Sequence, residues 1–568
     1  MSPDYQSLVF PYQRPPELDS PAPRPRPVIV VGAGPIGLAA AIELALSGID
    51  VLLLDDDDRL STGSRAICFS KRTLEILDRL GCGDATTDKG VSWQRGKVFL
   101  RNELVYSFDL LPEPGHKRPA FVNLQQYYCE GFLVERAQQL PNLELRWKNR
   151  VVELTQHADR VSLQVETPDG RYPIDADWVV AADGARSPIR TMMGLQSHGQ
   201  VFRDRFLIAD VRMSAPFPTE RWFWFDPPFH PNQSVLLHKQ PDDVWRIDFQ
   251  LGWDADPLAE RDPARVIPRV QALLGKDAQF ELVWCSVYTF TCARMERFRH
   301  GRVLFAGDAA HLVSPFGARG ANSGFQDVEN LAWKLARVIR RRAPESLLDS
   351  YDAERAYAAD ENILNSTRST DFITPKSAIS RTFRDATLTL ARDAPFARRL
   401  VNSGRLSVPA VLRDSPLNTP DVDRFDGGAV PGAPVLDAPV AIDGASGWFV
   451  DALERRFTLV TVVDADRPAA AAAAAAELRR IEPELQWLQV RLAGMPESAR
   501  GAAGDNRCRI VDDVEGLLAS RYDLKPGTCY LFRPDQHVTA RTRFPDPQRL
   551  RAALERAAGL QSSTESPR

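Results

Sequence analysis

Near the start of the chain, Val28-Ile-Val-Val-Gly32-Ala-Gly34-Pro35-Ile36-Gly37 joins an apolar run to glycines spaced as GxGxxG. A strand ending in such a turn can hold a diphosphate, because each glycine removes a different obstacle. Gly32 permits a tight turn, Gly34 lets backbone approach phosphate oxygens, and Gly37 lets the next helix pack against the strand. That helix, expected over Ile36–Ser47, offers unpaired N–H groups and a positive dipole end at its start, beside Pro35 and Ile36. A second apolar run, Val51-Leu-Leu-Leu54, ends in Asp55, where a carboxylate can hold a ribose hydroxyl. Strand, helix and terminal acid together predict a dinucleotide site.

Two further constellations carry chemistry. Asp183-Gly184-Ala-Arg186-Ser187-Pro-Ile-Arg190 follows the apolar run Trp178–Ala182. Gly301-Arg-Val-Leu-Phe-Ala-Gly307-Asp308-Ala-Ala-His311 is followed by Pro315-Phe316-Gly317-Ala-Arg-Gly320-Ala321-Asn322-Ser-Gly324. The glycine-rich turn runs into a long amphipathic helix expected over Gly324–Arg340, so amides and a helix dipole converge on one point. Amides of Gly320, Ala321 and Asn322 can stabilise negative charge there. Pro315 and Phe316 carry no charge and suit an apolar roof over a reacting carbon. Taken singly, these residues have plainer readings. Asp308 can cap a helix, Arg186 and Arg190 can pair with Asp183 at the surface, and His311 reads as structural rather than as a base.

In this order and separation, the three motifs resemble those of flavoprotein aromatic hydroxylases of the para-hydroxybenzoate/phenol hydroxylase type, over about residues 26 to 380. The tail segment Cys529-Tyr-Leu-Phe-Arg533-Pro534-Asp535 resembles the extra C-terminal domain of the phenol hydroxylase-like branch. The resemblance implies bound FAD, with Gly32, Gly34, Pro35, Ile36, Gly37 and Asp55 at one end and Asp308 on the ribityl chain. It implies Asp183 and Gly184 on the pyrophosphate side and Pro315, Gly320, Ala321 and Asn322 at the flavin. Arg65, in Ser64-Arg65-Ala66, corresponds to the family's phosphate- and ribose-contacting arginine. Gln126 corresponds to its flavin-contacting glutamine, with Glu130 at the expected offset and Gln125 leaving a one-residue ambiguity. No second GxGxxG is present, so NADH or NADPH is expected to visit transiently. In such enzymes NAD(P)H reduces FAD, which takes O2 as a C4a-hydroperoxide whose distal oxygen passes to an electron-rich ring.

The substrate side is expected in the strand-rich, aromatic stretch from Phe206 to Phe290. A hairpin is predicted at Lys97–Leu100 and Leu104–Asp109, and a helix at Gln126–Leu140. Arg246 and Asp248 share one parity in Val244-Trp-Arg-Ile-Asp-Phe-Gln. They are expected to face the substrate, with outer-face ion pairing as the alternative. With Pro315 they are the catalytic candidates, although the activating base itself is not identified. Trp222 and Trp224 are candidate substrate walls, or else core. Trp222-Phe-Trp224 also matches the WxW of flavin halogenases, but Phe225-Asp226-Pro227 departs from that pattern.

The fold class expected is α/β, or α+β overall: a Rossmann-like FAD-binding domain, an inserted β-rich substrate domain and a thioredoxin-like C-terminal domain. The expected divisions are a Pro-rich extension at 1–27, FAD-binding segments at 28–95, 140–205 and 300–380, and substrate-binding segments at 96–139 and 206–299. A helical and linker stretch at 381–434 then precedes a thioredoxin-like domain at 435–568. Its strand-helix-strand, strand pair, helix order lacks CxxC, which argues against a redox role.

The net charge of −4 and the absence of a basic stripe argue against nucleic acid. No apolar run approaches the ~20 residues of a membrane span. Seven scattered cysteines point to a reducing cytoplasm, and eight histidines without ligand spacing to no metal site. The expected partners are a small aromatic substrate and O2, with a homodimer open. The alternatives are a flavin oxidase, reductase or Baeyer–Villiger-type oxygenase on a non-aromatic substrate, and a non-catalytic flavin-containing sensor.

Overall fold

The computed structural model describes residues 8–20, 25–61, 66–215, 217–401, 406–495 and 508–561. They fall into two compact units. The first comprises Met1–Pro112, Pro119–Val328 and Ala359–Val408; the second comprises Glu113–Arg118, Glu329–Ala358 and Pro409–Arg568. Segments 329–358 and 409–434 thus cluster with the C-terminal residues, whereas the sequence divisions place the former with the FAD-binding segments and end the linker at 434.

The first unit holds two eight-stranded sheets. In one, five strands run parallel in the order Val303–Phe305, Gly170–Ala181, Arg26–Val31, Val51–Leu54, Leu143–Arg146. Val28, Ile29 and Val30 are fully buried at its centre, as an unbroken apolar strand requires. The sequence suggests separate strands at Arg171–Ala176 and Trp178–Ala182. The structure joins them as one strand, because Asp177 supplies no turn and the chain runs from an antiparallel meander straight into the parallel sheet.

The second sheet orders its strands His311–Leu312, Glu281–Met295, Ser197–Arg212, Val244–Leu251, Ser234–Lys239, Arg221–Phe225, Arg95–Leu100, Glu103–Asp109. The hairpin Arg95–Asp109 joins it by parallel pairing with Arg221–Phe225, so chain segments far apart in sequence build one surface. Helix Gln126–Gln138 departs from the expected substrate segment. Its Glu130 accepts from Ser61 N at 2.8 Å, and Arg136 Nε donates to Leu80 O at 3.0 Å, tying it to the nucleotide-binding half.

The second unit contains a seven-stranded sheet with Thr458–Val462, Gln486–Arg491 and Cys508–Asp512 in parallel and a hairpin, Cys529–Phe532 and Val538–Thr542, beyond Thr458–Val462. Strand Cys508–Asp512 and helix Leu517–Tyr522 have no counterpart in the sequence reading. Arginine and aspartate interrupt the apolar pattern there, so no period stands out. All seven cysteines are free thiols, and burial pushes the Cys529 thiol up to about 12, so this unit offers no dithiol chemistry.

A fully buried ion cluster organises the second unit. Glu354 accepts from Arg533 Nη1 at 2.5 Å and from Lys334 Nζ and Asn330 Nδ2 at 2.7 Å; Arg533 Nε also donates to Asp535 at 2.9 Å. The cationic neighbours overcome desolvation and hold Glu354 far below the usual carboxylate range. Removing one partner strands the rest. Arg533→Ala should therefore cost about 3–5 kcal/mol, read as a lowered denaturation midpoint, whereas Cys508→Ser should be nearly silent.

Candidate active site

The glycine turn divides its labour visibly. A Cβ at Gly37 would lie 1.8 Å from Gly32 O, and one at Gly32, whose φ is +101°, would lie 2.6 Å from Ala182 O. These two positions are glycine because protein backbone presses on them. Gly34 differs: it is the N-cap of helix Pro35–Leu46, and a Cβ there meets nothing within 4 Å. Asp55, at the end of its strand, accepts the Ala33 amide with Oδ2 and the Asp57 amide at 2.8 Å with Oδ1. It therefore shapes the turn itself, and burial lifts its pKa to about 6.

Asp183 and Asp308 face this turn from neighbouring strand ends. Asp183 Oδ2 accepts the Ile189 amide at 2.9 Å, while its buried Oδ1 has no partner among the described residues. A Cβ at Gly184, φ +80°, meets open space. Arg190 pairs with carbonyls rather than with Asp183: Nη1 donates to Ala309 O at 2.8 Å and Nη2 to Ala185 O at 2.7 Å. It staples the Asp183 loop to the turn Gly307–Ala309, which carries Asp308 exposed. His311 is structural. Buried, it meets Asp327 Oδ2 at 2.6 Å, and the same oxygen accepts the Gly307 amide at 3.0 Å. Asp327, absent from the sequence candidates, thereby fixes the loop bearing Asp308.

The long helix spans Gly320–Ile339, starting four residues earlier than expected, so Gly320, Ala321 and Asn322 occupy its first turn. Gly320 and Ala321 are half-exposed, as amides that meet a ligand must be. The Asn322 side chain is buried and fully used: Oδ1 accepts from Ser70 N at 2.9 Å and Thr73 Oγ1 at 2.6 Å, and Nδ2 donates to Cys68 O at 2.8 Å and Ala318 O at 2.5 Å. Gln126 and Gln125 turn to different partners. Gln126 accepts the Ala66 amide at 3.0 Å and donates to Ser61 Oγ at 3.0 Å, whereas Gln125 Nε2 turns to Pro241 O. Arg65 lies outside the described residues.

The second sheet corrects the substrate wall. Directly paired residues share a face, and Trp222 opposes Leu237, Trp224 opposes Val235, and those oppose Ile247 and Phe249. Trp222 and Trp224 therefore pack in an apolar cluster with Trp245 and helix Pro263–Leu274, on the face away from Arg246 and Asp248. The polar face carries Phe223, Leu236, His238, Arg246 and Asp248. Arg246 is buried and committed to a forked pair with Asp210, at 2.8 and 3.0 Å. Asp248 is not so committed: its buried Oδ1 lacks a partner among the described residues, and desolvation lifts its pKa to about 6. Pro315 is exposed, whereas Phe316 packs edge-on against Phe206 at 4.9 Å and Phe290 at 5.5 Å.

A cleft opens on this face, lined by Arg221, Phe223, Phe316, Gly317, Ser369 and Ile373 among others. Arg221 escaped sequence reasoning, although its alternation with Phe223 and Phe225 would have placed it on the inner face. The residues fit FAD. Open space faces Gly34 and Gly184, Asp183 keeps an unpartnered oxygen, and a helix start presents Gly320 and Ala321.

Comparisons with known proteins agree with this geometry. Residues 26–366 match the family model described as FAD binding domain. The chain is 28% identical over 557 residues to 3-(3-hydroxy-phenyl)propionate/3-hydroxycinnamic acid hydroxylase of Burkholderia cenocepacia (strain HI2424), covering 94% of this chain and 97% of that protein. It is 33% identical over 355 residues to a flavin-dependent monooxygenase of Mycobacteroides abscessus, covering 58% of this chain and 70% of that one. The fold is shared with the flavin-dependent monooxygenase PieE, solved with FAD and substrate, at TM-score 0.79 and 22% identity, over 95% of this chain and 100% of that one.

Two variants separate packing from ligand approach. Gly34→Leu should fold with a melting temperature near the parent's yet purify colourless, since its side chain enters the open space, whereas Gly37→Leu should not fold. Full flavin occupancy in folded Gly34→Leu would refute the assignment. Asp308→Ala should weaken FAD by about tenfold to a hundredfold, the loss of a charge-assisted hydrogen bond, measured by fluorescence titration of the apoprotein.

Proposed function

This chain belongs to the FAD-binding-domain family and is a FAD-dependent aromatic monooxygenase, and from that premise we propose that it hydroxylates a phenolic ring lying against the inner face of its second sheet. NADH or NADPH and O2 are the co-substrates in this reading, and bound FAD supplies the reduced and oxygen-activating chemistry. The chain's own residues bind, orient and exclude water. Gly34, Gly184 and Asp183 receive the pyrophosphate side, Asp308 the ribityl hydroxyls, and the amides of Gly320 and Ala321 the negative charge of the reduced ring. Asn322, Asp327 and Arg190 hold those elements in place. The aromatic substrate gains apolar contact from Phe223 and Phe316.

The observation that carries the phenolic reading is Asp248. It is a carboxylate with one unpartnered oxygen on the face that lines the cleft, and Arg246 beside it is neutralised by Asp210. Such a group accepts a hydroxyl proton and makes the ring electron-rich. Arg246 then acts on Asp248 by its field rather than by touching substrate. Seven free thiols support a reducing, cytoplasmic setting.

In FAD-loaded protein, a phenol panel should accelerate NAD(P)H oxidation severalfold or more. Asp248→Asn should lower kcat by about a hundredfold or more with FAD content unchanged. Because burial raises this carboxylate to about 6, its accepting form is lost below that value, so kcat should rise with pH through about 6 and then level. Unchanged kcat and pH profile in Asp248→Asn would remove it as the base.

A further inference from the structure

Helix Ala378–Asp393 buries one face and leaves a second apolar face in water. Arg384, Thr387, Leu388 and Ala391 turn inward, and Leu388 and Ala391 join the cluster that includes Val98, Tyr106 and Phe223. On the outer side stand Ile379, Phe383, Ala386 and Leu390, all exposed. They are spaced by four, three and four residues, which sets them in one stripe. Phe396 and Leu400 follow directly, where helix Pro395–Arg398 is tied back by Arg398 Nε donating to Ala391 O at 2.9 Å.

The stripe has the size of an interface. Ile379 is 83% exposed, Phe383 59%, Leu390 48%, Phe396 65% and Leu400 52%. At roughly 200 Å2 for a fully exposed large apolar side chain, these fractions leave about 600 Å2 of apolar surface in water. That is the top of the range found on monomers, about 300–600 Å2. A dimer of standard size removes about 800 Å2 from each partner, of which roughly 65% is apolar in homodimers. The stripe and a polar rim supply that amount.

The stripe also fits itself. Its spacing reads the same from either end, so a two-fold axis midway between Arg384 and Asp385 lays it antiparallel on its own copy. Ile379 then meets Leu390, and the large ring of Phe383 meets the small Ala386, in both directions. The flanking positions Ser380, Thr382 and Thr389 carry no charge. Thr382 Oγ1 donates to Ala378 O at 3.0 Å and Thr389 Oγ1 to Asp385 O at 2.9 Å, so both hydroxyls are satisfied within their own helix. The nearby arginines are drawn aside: Arg381 donates to Asn232 Oδ1 at 3.2 Å, and Arg392 pairs with Glu103. At the rim the same register sets Asp393 across from Lys376, opposite in charge.

We propose that this stripe is the contact surface of a symmetric homodimer, covered by the same helix of a second copy. Large against small side chains and unlike charges at the rim suit a copy of this chain, whereas like charges across the axis would oppose it. The proposal does not depend on the chemistry of the cleft.

The test is sedimentation equilibrium of full-length, FAD-loaded protein at micromolar concentration. The wild type should show twice the mass of one chain. Phe383→Glu places two carboxylates beside the axis and should raise the dimer dissociation constant about thirtyfold or more. Flavin content and far-ultraviolet circular dichroism should not change, because this ring lies outside the core. Ile379→Lys and Leu390→Glu should each weaken the dimer, and the double variant, whose lysine and glutamate meet across the axis, should recover part of it. Within one helix these positions lie about three turns apart and do not pair. A monomeric wild type overturns the proposal with no variant needing to fold. A dimer indifferent to Phe383→Glu overturns it as well, and a double variant no tighter than either single overturns the two-fold register. Monomeric protein that co-sediments with phosphatidylglycerol vesicles, and ceases to in Phe383→Glu, assigns the face to a lipid surface and overturns the dimer.

Discussion

The first unit depends on one close backbone approach. Gly37 comes so near Gly32 O that no side chain fits between them, which lets helix Pro35–Leu46 seat its Ile36 against two other glycines. A Cβ at Gly307 would lie 3.0 Å from Ile36 Cγ1, and one at Gly324 would lie 2.7 Å from Ile36 Cδ1. One aliphatic side chain thus sets the spacing between the phosphate turn, the Asp308 loop and the start of helix Gly320–Ile339. Open space beside Gly34 and Gly184 exists because everything around it is packed to contact.

Polar groups hold that frame from behind. Asp327 binds His311 and the Gly307 amide; Asn322 spends its whole amide on strand Cys68–Ser70, Thr73 and its own helix; Arg190 bridges two loops through carbonyls. None of these need touch a ligand. Each removes freedom from a group that would, and a site prepared in this way pays less reorganisation when charge develops. Buried polar atoms without a partner among the described residues include Asp183 Oδ1, Asp248 Oδ1, His238 Nε2 and Arg221 Nη1, and also Arg205 Nε and His311 Nδ1, whereas Glu354 and Arg533 are paired with each other.

The same sheet shows how strand parity sorts similar residues into unlike roles. In Arg221-Trp-Phe-Trp-Phe225, the tryptophans turn to an apolar core while Arg221 and Phe223 line the cleft. Neighbouring aromatic residues one position apart thus lie on opposite faces.

The chain's resemblance to aromatic hydroxylases implied the aromatic-hydroxylase assignment; by itself the sequence determined the nucleotide-binding turn, the order of the three motifs and the parallel core strands. These signals are local, since glycine spacing and unbroken apolar runs are dictated by backbone contacts within a few residues. It also put Arg246 and Asp248 on one face, because parity is a local property. Tertiary structure alone decided that Trp222 and Trp224 face elsewhere, that Arg246 is spent on Asp210, and that Arg221 lines the cleft. It also disclosed Asp327 and strand Cys508–Asp512. Those outcomes depend on which strands pair and which charges meet across the sheet, and long-range pairing leaves no period in the chain to read.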